Sequence, residues 1–269
     1  MDRKRIVVTD LTRMRDFDVC LAGIELEPFG RCIRPLLSRG IGQPSLHPDE
    51  RWLRSAVSEP IRLFAVMSFD GFANYPSPPH TEDWAISAKP PHLERILSQA
   101  ERLQLLRTLQ QPSIEELFGR TIQWNEYDDG LHSGGWIRPG EGRASLGTIR
   151  VETVRFRVYR DAKGGSTKHA VTFRVPGGIA YRLSITDLAF RGWADAVRRA
   201  NGNSFDELNA VMQATFQPPR ELWLRIGLAR AWARNTHAEP VCYLQVTGVH
   251  TIPDYLEGAA WYDFRQGLA

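Results

Sequence analysis

The sequence predicts a mostly β protein made of two small barrels, and three observations carry that prediction. Between Ile149 and His250 five segments alternate with period two between apolar and other residues: Ile149 to Arg160, Lys168 to Val175, Ala180 to Asp187, Leu222 to Arg230 and Val241 to Val249. One strong helix pattern, Leu188 to Ala200 stopped by Asn201-Gly202, falls between the third and the fourth. Less cleanly patterned strand-like runs occupy the amino-terminal third. Three strands, a helix and two strands is the order of the OB-fold, a five-stranded Greek-key barrel.

Taken in order, the first barrel begins with Ile6 to Thr9, Val19 to Leu26 and Cys32 to Leu37, the last two joined by the turn Glu27-Pro28-Phe29-Gly30. A Pro- and Gly-rich stretch, Ser38 to Glu59, has room for a short helix around Trp52, and Ile61 to Phe69 supplies a fourth strand. From Tyr75 to Pro91 the chain reads as an irregular, Pro-rich connection. Leu93, Ile96, Leu97, Ala100 and Leu103 then recur at helical spacing. Ser113 and Glu116 have the spacing of a capping box ahead of Leu117-Phe118, with Gly119 as the stop. Asp128 to Gly147 reads as a glycine-rich loop and places the boundary between a unit at 1–146, with its helical insertion at about 75–120, and a unit at 147–269. No internal repeat of solenoid period occurs.

On the first strand of the second unit, Val154, Phe156 and Val158 point one way, so Arg155, Arg157 and Tyr159 point the other. The same register sends Lys168, Arg174, Arg182, Trp223, Arg225, Tyr243 and Gln245 outward, and Val171, Phe173, Leu183, Ile185, Leu224, Ile226 and Leu244 inward. Guanidinium groups interleaved with flat rings suit a single nucleic-acid strand, because cations neutralise phosphates and rings stack on bases. A solvated barrel exterior would also be polar. Charge tilts the balance toward the first reading without distinguishing DNA, RNA or an acidic protein as the partner: residues 149–250 carry 15 Lys+Arg against 8 Asp+Glu, whereas residues 1–148 carry 18 against 20. The basic excess is local to the second barrel, so the net charge of +3 understates its pull on polyanions.

Other constellations compete. His80, Glu82, Asp83, Lys89 and His92 could hold a metal or do acid–base work, but they lack HExxH spacing and read better as polar anchors of a loop. Arg13, His80, Glu82, Trp84, Trp136 and Arg138 could line a cleft between the barrels that takes a nucleotide or another small ligand. His132 is a further ligand contact in the glycine-rich loop. Gly164-Gly165-Ser166-Thr167-Lys168 lacks the upstream glycine of a phosphate-binding loop and lies between strands, so it reads as a hairpin turn. Cys20, Cys32 and Cys242 are too scattered for a disulfide framework or a metal clip. Apolar strand surroundings would raise the thiols of Cys20 and Cys32 and weaken them as nucleophiles paired with His47 or His80. Arg34 and Arg230 suggest buried ion pairs with Asp10, Asp187 or Asp254 that lock the barrels together, while Arg15 and Arg234 flank strand ends and Trp232. No motif calls for a cofactor or assigns a catalytic residue.

The ends of the chain resemble a known family. Ile6-Val7-Val8-Thr9-Asp10-Leu11-Thr12-Arg13-Met14, Val19-Cys20-Leu21-Ala22-Gly23-Ile24 and Cys32-Ile33-Arg34-Pro35 look like the start of a bacterial dual OB-fold domain. Leu224 to Trp232, Cys242 to Gly248 and Ile252-Pro253-Asp254-Tyr255-Leu256 look like its end. The resemblance implies two OB barrels side by side and brings no established reaction. The expectation is a cytoplasmic binding module for nucleic acid, single-stranded in preference to duplex, with no membrane partner. No apolar run approaches the ~20 residues that span a bilayer, and the start has no signal-peptide core. A docking adaptor for a protein partner and a metal-dependent enzyme are the other classes considered.

Overall fold

The computed structural model describes residues 2–13, 19–37, 53, 59–126, 130–162, 165–218 and 220–264. Arg15, His47, Gly164 and the short helix expected around Trp52 lie outside the described residues.

The first sheet is a closed five-stranded barrel. Strands β1 (Asp2–Arg13), β2 (Val19–Leu26), β3 (Phe29–Leu37), β4 (Ala65–Asn74) and β5 (Asp83–Ile86) run in the order β1-β2-β3-β5-β4, and β4 returns to pair with β1. The β3–β5 pairing is parallel, as the OB order requires. Sequence periodicity missed β5, because its four residues are buried on both sides and lie in a Pro-rich stretch. Leu93 and Ile96, expected on a helix, belong instead to a strand, β6 (His92–Ile96), which takes the part of the β4 edge left open beside β5. The helix proper, α1 (Gln99–Leu109), starts only at Ser98, whose side chain and that of Glu101 form a reciprocal capping box.

Past β7 (Gln110–Gln111), Ser113 caps α2 (Ile114–Phe118) by accepting the Glu116 N–H, and Gly119, at φ 61°, ends it in the left-handed region that glycine adopts without strain. The expected glycine-rich loop is partly strand. β8 (Gln123–Glu126) pairs with β9 (Leu131–Ile137), and Gly135 lets the Trp124 ring lie against the backbone, where a Cβ would stand 2.4 Å from it.

β9 enters the second sheet, which follows the order β11-β12-β13-β9-β15-β14-β10-β7. Its strands are β10 (Leu146–Val151), β11 (Thr153–Arg160), β12 (Thr167–Arg174), β13 (Ala180–Ser184), β14 (Glu221–Leu228) and β15 (Cys242–Ile252). Only Glu152 separates β10 from β11, so the first strand expected here is one bent strand whose halves pair at opposite ends of the sheet and bring it round on itself. Beyond β9, Ile185 bridges Val246 in parallel, the third-to-fifth contact of an OB barrel. The chain is therefore mostly β, with OB-like barrels.

Helix α3 (Leu188–Ala200) matches its expected bounds; Asp187 caps it by accepting the Ala189 and Phe190 N–H groups. A second helix that periodicity did not reveal, α4 (Phe205–Thr215), starts at Ser204, which accepts the Glu207 N–H. From α4 the Asn209 amide accepts the Val158 N–H at 2.9 Å and donates to the Val158 carbonyl at 3.1 Å, capping the outer edge of β11 in mid-strand.

The barrels meet along β1 and β15. Strand β1 is buried from Ile6 to Thr12, and β14 from Leu222 to Leu228, so neither has a solvent face. At the seam Asp10 Oδ2 accepts from Arg225 Nε at 2.9 Å and Nη2 at 2.8 Å, and Oδ1 accepts from the Thr247 hydroxyl at 2.6 Å. Both barrels bulge there: Thr9 drops out of the β1–β2 register, and Thr247 out of the β14–β15 register. Arg225→Ala would leave a carboxylate buried without its cation, and the expected cost is about 3–5 kcal/mol, read as a lower urea midpoint. A variant as stable as the parent would mean that the seam does not depend on this pair.

Candidate nucleic-acid face and interbarrel cleft

The hairpin strands β11 to β13 place their outward side chains in rows. Pairing aligns Arg155 with Thr172 and Arg182, Arg157 with Ala170 and Ser184, Tyr159 with Lys168, and Thr153 with Arg174 and Ala180. Phe156, Val158, Val171, Phe173 and Leu183 are buried on the other side, as alternation requires. Arg155, Arg157, Arg160, Lys168, Arg174 and Arg182 are the charged residues of these strands, which contain no Asp or Glu. Lys168 lies 3.8 Å from Asp161 in the turn, and Arg174 donates to the Gly178 carbonyl at 2.6 Å. Among the described residues no carboxylate pairs with Arg155, Arg157, Arg160 or Arg182. The Arg157 guanidinium lies 5.4 Å from the centre of the exposed Tyr159 ring, so the cation and the flat face are presented together.

Trp223 and Arg225, expected on this outward face, are not there. Arg225 is 2% exposed and Trp223 is fully buried, its indole N–H donating to the Gln110 amide oxygen at 2.9 Å. The alternation of β14 is real, but its second face is covered and not in water: Arg225 meets Asp10 of the first barrel, and Trp223 lies against Gln110 of β7. Tyr243 and Gln245 on β15 are half-buried. Tyr243 has Trp232 at 6.1 Å and the Arg234 guanidinium at 5.1 Å, and it pairs in register with Trp136.

The residues expected in a cleft are dispersed. His80, Glu82 and Trp84 are buried in the first barrel. Glu82 accepts the Ser145 and Leu146 N–H groups at 2.6 and 3.1 Å, together with the Ser145 hydroxyl and an Arg34 nitrogen at 3.2 Å. It therefore ties the start of β10 to the first barrel, which is an anchoring role. His80 Nδ1 lies 3.3 Å from Arg34 Nη2. Trp84 is covered by Lys4 and Arg31, both of which pair with Glu25. Trp136 is on β9, and Arg138 just beyond it lies 3.7 Å from Glu239. His132, also on β9, packs against Trp124 and Tyr181. Among the described residues no three His, Cys, Asp or Glu side chains are grouped as a metal site.

Arg13 alone of that set lines a cleft between the barrels, where it is joined by Arg34, Arg230 and Gln245. The lock expected of Arg34 and Arg230 uses other partners: Asp83 takes Arg34 at 3.0 Å and Arg230 at 2.7 Å, and the pairing with Asp10 falls to Arg225. Cys20 and Cys32 stand beside these groups, both raised by burial, Cys32 to about 12, which makes them poor nucleophiles.

Burial also sets the charge state of the seam. It would raise the Asp10 carboxyl, but Arg225 and the Thr247 and Thr9 hydroxyls outweigh it and hold Asp10 below the ordinary carboxylate range. For Asp187 burial prevails over hydrogen bonds from the Val249, Phe190 and Ala189 N–H groups and lifts it to about 7, with the Asp10 charge adding to the rise. His250, whose Nε2–H donates to the Thr9 carbonyl at 3.0 Å, is lowered to about 4, chiefly by burial.

The dual OB-containing domain family matches residues 4–249. No curated protein and no solved structure gives a match. No helix among the described residues is long and apolar enough to cross a membrane.

The His250 shift fixes the sign of a pH effect. A folded pKa below the unfolded 6.5 means that the unfolded chain binds the extra proton, so stability is full above pH 6.5 and is lost as pH falls towards about 4. Asp187, raised in the fold, acts in the opposite sense between about 7 and 3.8. The His250 share is therefore the difference between the parent and His250→Gln. Urea midpoints at pH 7, 5 and 4 should fall less steeply in the variant, and parallel slopes would show that His250 is not the group responsible.

Proposed function

From the premise that this chain belongs to the dual OB-containing domain family, we propose that it is a binding module for single-stranded nucleic acid that works through the outward face of β11, β12 and β13. The observation that carries the reading is the composition of that face: five cations (Arg155, Arg157, Lys168, Arg174 and Arg182), no carboxylate on the strands, and an aromatic ring beside one guanidinium. In an OB barrel the second and third strands form the surface on which oligonucleotides lie, and β12 and β13 hold those positions here. Unpaired arginines give up little on meeting a phosphate, since no internal ion pair has to break first. A single strand suits the face better than a duplex, because its bases are free to stack on Tyr159. Sequence preference would be modest, as phosphate contacts position a strand without reading it. Three free thiols are compatible with the reducing cytoplasm that we propose as its compartment.

Reversing Arg155 and Arg157 together to Glu tests this reading. Both are exposed and opposite the core, so the melting temperature should stay close to that of the parent, each exposed change being worth no more than ~0.5 kcal/mol. Affinity for a single-stranded oligonucleotide should collapse, and the slope of log K against log salt should shrink by about 1.4, from roughly 0.7 for each phosphate that is no longer neutralised. Fluorescence anisotropy across a salt series, with single-stranded DNA, single-stranded RNA and duplexes, reads all of this. Unchanged affinity in a folded variant would reduce the face to a solvated exterior, and a parent that binds no nucleic acid at any salt would turn attention to a protein partner.

A further inference from the structure

Beside the seam lies a cleft of about 370 Å³ to which both barrels contribute. Its size is that of a small-molecule site. None of the outward residues of β11 to β13 lines it, so it is separate from the proposed nucleic-acid face. The first barrel supplies Arg13 and Arg34, and the second supplies Leu228, Ala229, Arg230 and Gln245.

These groups differ in how far they are committed. Arg34 is buried against Glu82 and Asp83, and Arg230, from the second barrel, is held by the other oxygen of Asp83. Two carboxylates thus offset two guanidiniums. Arg13 is the third cation; its backbone N–H donates to the Thr186 carbonyl at 3.2 Å, which fixes where the residue enters the cleft. Among the described residues the Arg13 guanidinium has no carboxylate partner, and the Gln245 amide makes no hydrogen bond. The cleft therefore combines an excess of positive charge, an uncommitted amide that can both donate and accept, and an apolar wall at Leu228 and Ala229.

We propose that this cleft binds a small phosphate monoester, with the phosphate against Arg13 and Arg230 and the uncharged body on Leu228 and Ala229, within reach of the Gln245 amide. A dianion fits two planar guanidinium forks better than a single carboxylate does, because each fork can take two phosphate oxygens. Asp83 limits the site in a useful way: it holds Arg230 in place before the ligand arrives, so little side-chain freedom is lost on binding.

The test is calorimetric titration of the full chain with ribose 5-phosphate, adenosine 5′-monophosphate, inorganic phosphate and ribose, at matched ionic strength. At least one of the two monoesters should bind saturably and more tightly than inorganic phosphate, and ribose should not bind. Arg13→Gln should weaken the monoester at least tenfold with an unchanged melting temperature, the loss expected for a charge-assisted contact. Gln245→Ala should weaken the monoester and leave inorganic phosphate as it was. The Arg155→Glu, Arg157→Glu double variant should bind the monoester like the parent, which separates this site from the strand-binding face. Absence of saturable binding by either monoester, affinity unchanged in Arg13→Gln, or loss in the double Glu variant would each overturn the proposal.

Discussion

The ion pair between Asp10 and Arg225 is the constraint on which the arrangement of the barrels rests. A guanidinium and a carboxylate removed from water are tolerable only if nearly every polar atom around them is satisfied. Here the supply comes from five places in the chain: Thr9, Thr148 and Thr247 hydroxyls on or beside the pair, the Cys32 sulfur 3.7 Å from Arg225, and the His250 ring on the Thr9 carbonyl. Neither barrel alone contains this set. The two bulges follow from the same need, since skipping Thr9 and Thr247 in their ladders frees both hydroxyls to turn toward Asp10. Gly248 completes the fit, because a Cβ there would stand 3.1 Å from the Thr9 carbonyl oxygen of the other barrel.

Arginine serves two separate ends in this molecule, and environment sorts them. Arg34 and Arg225 are buried and ion-paired with carboxylates; the charges of Arg155, Arg157 and Arg182 face water with no carboxylate on their strands. The first group gives the barrels a fixed relation to each other, and the second leaves a field on one side of one barrel. Arg13 and Arg230 fall between these extremes, at the edge of the seam, where a cation can be held by the fold and still meet a solute.

Period-two alternation was enough to place β11, β12 and β13, because each has one wet face and one dry face, and the pattern of Val154, Phe156 and Val158 against Arg155, Arg157 and Tyr159 records which is which. The same rule misplaced Trp223 and Arg225. On a strand packed on both sides alternation separates two interiors, and an arginine opposite Leu224 can face a neighbouring barrel as well as solvent. Asp83 to Ile86 was illegible for a related reason: four buried residues between prolines have no period to read. Glu82 could be recognised as an anchor but not assigned a partner, since Ser145 lies 63 residues away and only closure of the chain brings it near. The helix capped by Ser204 had a readable signal, a serine three residues ahead of Glu207, that its weak apolar stripe did not reinforce.

The Asn209 clamp on Val158 bears on how copies of this protein can crowd. β11 is the last strand of its sheet, and an open outer ladder beside a basic surface would invite the same strand of another molecule whenever a polyanion gathered several together. By occupying both backbone groups of one mid-strand residue, α4 splits that ladder into segments too short to template a continuous pairing. If the proposed strand binding holds, copies crowded along a nucleic acid would share a lattice of phosphates without growth of a common sheet from molecule to molecule.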